Sequence, residues 1–164
     1  MGATFKVAPF CFTGLPNDLS LRRMGSNMLR VNRVLETALY CDDLPRAADF
    51  YRRLFGFATL VENDRIVALD VNRESVLLLF NRGESRKGLN GPTGWIPPHD
   101  STGPTHFALG IERDDLEQWE KRLTESTIEI ESRVTWDLGG VSLYFRDPDG
   151  HSVELATRGT WRTY

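Results

Sequence analysis

The chain has 164 residues, 40% of them hydrophobic and 26% charged, the composition of one globular domain able to bury roughly 70% of its unfolded surface. Twenty Lys+Arg against 23 Asp+Glu leave a net charge of -3 with the basic residues scattered, which argues against a nucleic-acid partner. The longest aliphatic run, Val76 to Phe80, is far below the ~20 residues of a membrane-spanning helix, and Cys11 and Cys41 are too few for a disulfide framework, so a cytoplasmic protein with no membrane partner is expected.

Residues 1–30 contain Pro9, Phe10, Cys11 and Gly14, and basic residues arrive only at Arg22 and Arg23. That is not the charged-then-apolar order of a secretory signal, and a poorly ordered extension is expected before a single domain over residues 31–164. From Val34 to Cys41 the residues are mostly β-branched or apolar, and Asp42-Asp43-Leu44-Pro45 then offers an Asp cap and a Pro for a first helical turn. Leu44, Ala47, Ala48, Tyr51, Leu54 and Phe55 recur at steps of three and four, a stripe that stops at Gly56, a residue suited to a left-handed helix end. Apolar runs over 57–61, 66–71 and 75–80 follow, separated by Glu62-Asn63-Asp64 and Asn72-Arg73-Glu74, whose side chains favour tight turns. The first module, about residues 33–81, therefore reads β-α-β-β-β.

Residues 82–104, rich in Gly, Pro, Ser and Asn, exceed the roughly 4–6 residues of an ordinary connection, and a functional or mobile loop is expected there. The first order then returns over residues 105–157. A strand at 105–111 precedes a helix at 114–123 with Leu116, Trp119 and Leu123 on one face, and strands at 128–136, 141–145 and 152–156 complete the set. Glu36-Thr37-Ala38-Leu39 aligns with His106-Phe107-Ala108-Leu109, and Ser75-Val76-Leu77-Leu78 with Ser152-Val153-Glu154-Leu155. The fold class is α+β, two tandem βαβββ modules.

Two such modules paired about a pseudo-twofold bring equivalent strand positions together, so Glu36 is expected to face His106, and Glu154 to face Leu77. Singly, each is an ordinary strand residue. Jointly, one imidazole and two carboxylates supply three donors to a divalent cation and leave positions open for water and substrate, the design of a catalytic metal site.

The sequence resembles the vicinal oxygen chelate superfamily, which includes glyoxalase I, fosfomycin-resistance proteins, extradiol dioxygenases, methylmalonyl-CoA epimerase and metal-free bleomycin-resistance proteins. The resemblance covers about Arg33 to Thr157. It is carried by Glu36 with Leu39-Tyr40-Cys41-Asp42-Asp43-Leu44, by Ala48-Asp49-Phe50-Tyr51 through Leu54-Phe55-Gly56-Phe57, by Gly103-Pro104-Thr105-His106-Phe107-Ala108, and by Tyr144-Phe145-Arg146-Asp147-Pro148-Asp149-Gly150-His151-Ser152-Val153-Glu154. It implies a curved eight-stranded cup around a metal, usually within a homodimer, acting on a small-molecule substrate.

Carried over position by position, Glu36 stands where the family commonly has His or Gln, His106 where it has His, and Glu154 where it has Glu. Leu77 is assigned the fourth place, which glyoxalase I fills with Glu, so a three-donor site like that of the fosfomycin-resistance branch is implied. Two carboxylates with one imidazole favour Mn²⁺, Mg²⁺ or Fe²⁺, with Zn²⁺, Ni²⁺ and Co²⁺ also accommodated. The implied function is Lewis-acid catalysis by a lyase, isomerase or transferase, with Tyr144 and Glu154 as catalytic residues.

The Leu143-Tyr144 to Glu154 spacing also resembles half of an extradiol dioxygenase signature, making Fe(II)-dependent catechol cleavage an alternative, although its upstream His is absent from Thr135-Trp136-Asp137-Leu138. A metal-free binding protein is the other. A plain four-residue turn at Asp147–Gly150 pairs Leu143 with Glu154 and sends Tyr144 to the opposite face unless a bulge shifts the register. His99 is expected to be solvated and His151 to lie at the surface. Trp136 and Trp161 are candidate pocket walls or core and dimer contacts.

Overall fold

The computed structural model describes residues 29–164, of which 34–164 form one compact unit. The extension expected over residues 1–30, with Cys11, lies outside the described residues as far as residue 28. Strand β1 (Glu36–Cys41) leads into helix α1 (Leu44–Phe55), followed by β2 (Ala58–Glu62), β3 (Ile66–Val71) and β4 (Ser75–Asn81). The Asp43 carboxylate accepts from the Arg46 N–H at 3.0 Å, Pro45 sits in the first turn, and Gly56 ends the helix at φ 73°. These are the cap, first turn and stop that the sequence spells out.

The last strand of the module returns beside the first: β1 pairs in parallel with β4, giving the order β1-β4-β3-β2. Alternation then sends Leu39, Cys41, Val67, Leu69, Leu77 and Leu79 into one cluster with Leu44, Ala47, Ala48 and Tyr51 of α1. Burial in that cluster pushes the Cys41 thiol pKa far up, so it stays protonated and unreactive.

The connection 82–104 is more structured than its composition predicts. It holds a short hairpin, β5 (Leu89–Gly91) with β6 (Gly94–Ile96), and its neck is tied down. Arg82 donates to the Ser101 carbonyl at 2.7 Å and to the Tyr40 carbonyl at 2.8 Å, while the His99 N–H donates to the Ser85 carbonyl at 3.1 Å. His99 is half-buried rather than solvated: its Nδ1 lies 2.7 Å from the Tyr40 hydroxyl and its ring meets Phe80 edge-on at 4.7 Å.

The second module consists of β7 (His106–Ile111), a 3-10 turn (Arg113–Asp115), α2 (Leu116–Glu125), β8 (Ser132–Thr135), β9 (Val141–Arg146) and β10 (Ser152–Thr157). Its order is β7-β10-β9-β8, again with first and last strands parallel. The helix begins two residues later than expected because Arg113–Asp115 winds as the 3-10 turn, and β8 keeps only the last part of its predicted run. The eight module strands divide into two four-stranded sheets with no ladder joining them among the described residues.

Packing joins what hydrogen bonds do not. Phe50, Phe55 and Phe107 pack against both hydrophobic clusters, and the Tyr51 hydroxyl donates to Asp147 Oδ2 across the boundary at 2.8 Å. His151, expected at the surface, is 0% exposed. Its Nδ1 accepts from the Thr105 N–H at 3.0 Å, so Nε2 carries the proton and donates to the Tyr40 carbonyl at 3.2 Å. A buried neutral imidazole thus ties the first module to the second.

Replacing His151 by Ala leaves a backbone donor and a backbone acceptor without their partner, and a loss of about 2–4 kcal/mol in unfolding free energy is expected. Urea denaturation measures it, and a midpoint equal to that of the parent would mean that this bridge contributes nothing to stability.

Candidate metal centre

The parallel ladder sets His106 opposite Ser152 and Glu154 opposite Ala108. Because side chains alternate, His106 and Ala108 share a face with Ser152 and Glu154, while Val153, Leu155 and Leu143 point into the core. His106 is mostly exposed and its ring nitrogen Nδ1 lies 3.1 Å from the Ser152 carbonyl, which can only accept. Nδ1 therefore carries a hydrogen, and in the neutral ring Nε2 presents a lone pair. That Nε2 stands 3.3 Å from Glu154 Oε2, whose side chain is 8% exposed.

Two lone-pair donors facing each other at this distance require a positive charge between or upon them, either a proton on the imidazole or a metal ion held by both. Ligands about 2.0–2.2 Å from one ion, at angles between octahedral and tetrahedral, lie about 2.8–3.6 Å apart. The His106–Glu154 pair has the spacing and donor chemistry that a divalent ion needs.

Tyr144 completes this face, contrary to the four-residue-turn expectation. Asp147 Oδ1 accepts from the N–H groups of Asp149 at 3.0 Å and His151 at 2.8 Å. The connection consequently spans Asp147 to His151, Arg146 pairs with Ser152, and Tyr144 falls opposite Glu154. The extra residue supplies the register shift that a tighter turn lacks. The Tyr144 and His106 rings are 6.0 Å apart. Burial, with the negative charge of Glu154 adding to it, pushes the Tyr144 pKa up to about 12.

The same register argument relocates the fourth position. Glu36 pairs with Val76 as His106 pairs with Ser152, so the counterpart of Glu154 is Leu78, two residues on, and Leu77 is a core residue of the first module. Glu36 itself is exposed on β1 and forms no ion pair among the described residues. No group of three His, Cys, Asp or Glu side chains is close enough to hold an ion among the described residues, so one chain brings together His106, Glu154 and Tyr144 but does not add Glu36 to them.

Two residues hold Glu154 from behind: Ser142, which sequence reasoning passed over, and Trp136, expected as a pocket wall or a core or dimer contact. Ser142 lies on the same face of β9 as Tyr144, is fully buried, and donates its hydroxyl to Glu154 Oε1. Trp136 donates its indole N–H to Ser142 Oγ at 2.8 Å, while Trp161 is exposed. The signal was available in the alternation Val141-Ser142-Leu143-Tyr144, a small polar residue two places from the tyrosine. A cavity of about 940 Å³ lies elsewhere: it runs between Ala58 and Asp70 on one sheet and Ala108 and Gly110 on the other, and neither His106, Glu154 nor Tyr144 lines it.

A duplicated βαβββ scaffold with an imidazole and a carboxylate meeting on paired parallel strands defines the class of protein. The chain belongs to the Glyoxalase/Bleomycin resistance protein/Dioxygenase superfamily, whose model matches residues 31–155. It is 31% identical over 133 residues to the metallothiol transferase FosB of Bacillus licheniformis, covering 80% of this chain and 77% of that one. It is 36% identical over 117 residues to the glutathione transferase FosA of Serratia marcescens, covering 71% and 74%. The crystal structure of lactoylglutathione lyase from Agrobacterium tumefaciens superposes with a TM-score of 0.74 at 34% identity, covering 80% of this chain and 98% of that one. No helix among the described residues is long and apolar enough to cross a membrane.

Tyr144 is expected to stay protonated until about pH 12, and Glu154→Gln to lower its midpoint toward the ordinary tyrosine value near 10 by removing the adjacent charge. Tyrosine-selective ¹³C NMR, with Tyr144→Phe to assign the signal, measures both. Since the folded-state value is raised, the associated stability is complete below about pH 10 and lost as pH rises toward 12.

Proposed function

We propose that the protein is a divalent-metal-dependent enzyme that transfers a thiol to a small electrophilic substrate bearing oxygen, such as an epoxide. The carrying observation is the His106 Nε2 to Glu154 Oε2 distance of 3.3 Å, with Nδ1 committed to the Ser152 carbonyl. Leu78 at the fourth position supports a three-donor site over a four-donor one, and thiol transfer is the activity that the names of the FosB and FosA relatives share. When bound, a cation such as Mn²⁺, Mg²⁺ or Fe²⁺ supplies Lewis acidity for negative charge developing on the substrate oxygen.

The side chains divide the remaining work. His106 and Glu154 hold two positions, and the residue directly opposite Glu154 on the same face is the small Ala108. Tyr144 keeps its proton throughout the physiological range, so it serves as a hydrogen-bond donor to the substrate oxygen rather than as a base. In the overall addition the thiol S–H and the substrate C–O bonds break, an S–C bond forms, and the proton ends on the released oxygen. No further reactant is consumed.

Glu36 is the proposed third donor, supplied by a second copy of the chain. β1, which carries Glu36, and β7, which carries His106, are each the edge of a sheet, so both present an open side to a neighbour. The reading thereby includes a homodimer whose sites combine a first module from one copy with a second module from the other.

Elemental analysis after loading with Mn²⁺ is expected to find about one ion per chain, lost in His106→Ala, Glu154→Ala and Glu36→Ala. Mixed and refolded Glu36→Ala and His106→Ala chains are expected to regain binding in roughly a quarter of the sites, because only one combination of a random mixture rebuilds all three donors. No recovery would place Glu36 outside the shared site. Failure of the parent to bind any divalent ion would overturn the enzyme reading in favour of a small-molecule-binding protein, and oxygen uptake with catechols under Fe²⁺ would favour ring cleavage instead.

A further inference from the structure

We propose that Trp136 and Ser142 act as a pair of positioning residues that fill one oxygen of Glu154 and so make it a one-oxygen ligand, an inference that rests on the metal reading above. The argument is one of hydrogen-bond arithmetic. A serine hydroxyl has a single proton and two lone pairs, whereas an indole N–H can only donate. Trp136 Nε1, at 2.8 Å from Ser142 Oγ, occupies a lone pair and leaves the serine proton free to point at Glu154 Oε1. Oε1 is thereby committed inside the protein, and Oε2 is the oxygen that faces His106 Nε2 at 3.3 Å.

The pair is built on rigid ground. Ser142 sits in the middle of its sheet, between Val134 of β8 and Ala156 of β10. Trp136 begins a turn closed by its own N–H to the Gly140 carbonyl and by the Gly139 N–H to the Trp136 carbonyl, both at 2.8 Å. That turn is pressed against the chain at Gly159 and Thr160 so closely that a Cβ on Gly140 would lie 2.2 Å from the Thr160 nitrogen. A side chain there would displace the turn, and with it the indole. The neighbouring Val141 N–H is held at 2.9 Å by Thr157 Oγ1, so the start of β9 is fixed from both sides.

The indole of Trp136 reaches Glu154 through Ser142, and Ser142 reaches the oxygen facing His106 through the carboxylate. Holding a buried acid by one oxygen has a chemical result. A carboxylate free to rotate takes a hard cation through both oxygens and uses two coordination positions, whereas a pinned one uses a single position and leaves the other for water or substrate.

The test compares the parent with Ser142→Ala and Trp136→Phe, each close in shape to the residue replaced. In the metal-free proteins, Ser142→Ala is expected to shift the Trp136 indole N–H signal upfield in ¹H–¹⁵N spectra. On Mn²⁺ addition, infrared difference spectra of ¹³C-Glu-labelled protein are expected to show one-oxygen coordination in the parent. In both variants the two carboxylate stretches should move to the spacing of two-oxygen coordination, with Mn²⁺ affinity in Ser142→Ala changed about 10–100-fold. Circular dichroism confirms that each variant is folded. A parent that binds Mn²⁺ while the folded variants match it in affinity and carboxylate spectrum would overturn this proposal and leave the metal reading standing. A parent that binds no divalent ion would overturn both.

Discussion

Pairing the last strand of each module in parallel with its first is the constraint from which the rest follows. It places residues some 40–50 positions apart in sequence side by side on one face, and it does so twice with the same register, Glu36 opposite Val76 and His106 opposite Ser152. Helix α1 and its opposite number α2 cover the other face of their sheets, so the residues that pack and the residues that react are separated by the two-residue period of the strand. His106 and Glu154 meet because their strands are neighbours and the intervening position is even.

The electrostatics of the pair follow from that placement. Glu154 is buried at its base yet keeps one oxygen toward the open face, while His106 stays mostly exposed with its tautomer fixed by a backbone carbonyl. A buried carboxylate costs stability unless it gains a positive partner. The fold supplies a hydroxyl at one oxygen and an imidazole at the other.

Much of this was legible in the residues. The stripe from Leu44 to Phe55, the Asp43 cap and the Gly56 stop give α1 its bounds, and the repeat of Glu36-Thr37-Ala38-Leu39 as His106-Phe107-Ala108-Leu109 marks equivalent strands. What was not legible depended on single-residue register. The Asp147 carboxylate accepts from two backbone N–H groups and lengthens its turn to five residues, which turns Tyr144 toward the site and sends His151 inward. On the first sheet, ladder geometry matches Leu78 to Glu154, where local sequence similarity points to Leu77. Ser142 and Trp136 matter through a contact between strands, and no linear pattern displays that. Glu36 is the opposite case: its position in the repeat is plain, but the fold leaves it exposed on an edge strand with no ion pair among the described residues.

The tied neck of the 82–104 segment also separates two kinds of freedom in the chain. Arg82 and Asp100, with the Ser85 carbonyl, hold the two ends of the segment together independently of the hairpin they enclose. Loop length then enters stability only through closure entropy, which grows logarithmically, about 0.6 kcal/mol for each doubling. The exposed tip at Pro92 and Thr93 is thus a place where the chain tolerates added length, a peptide tag or an evolutionary insertion, without disturbing the strands that carry His106, Tyr144 and Glu154.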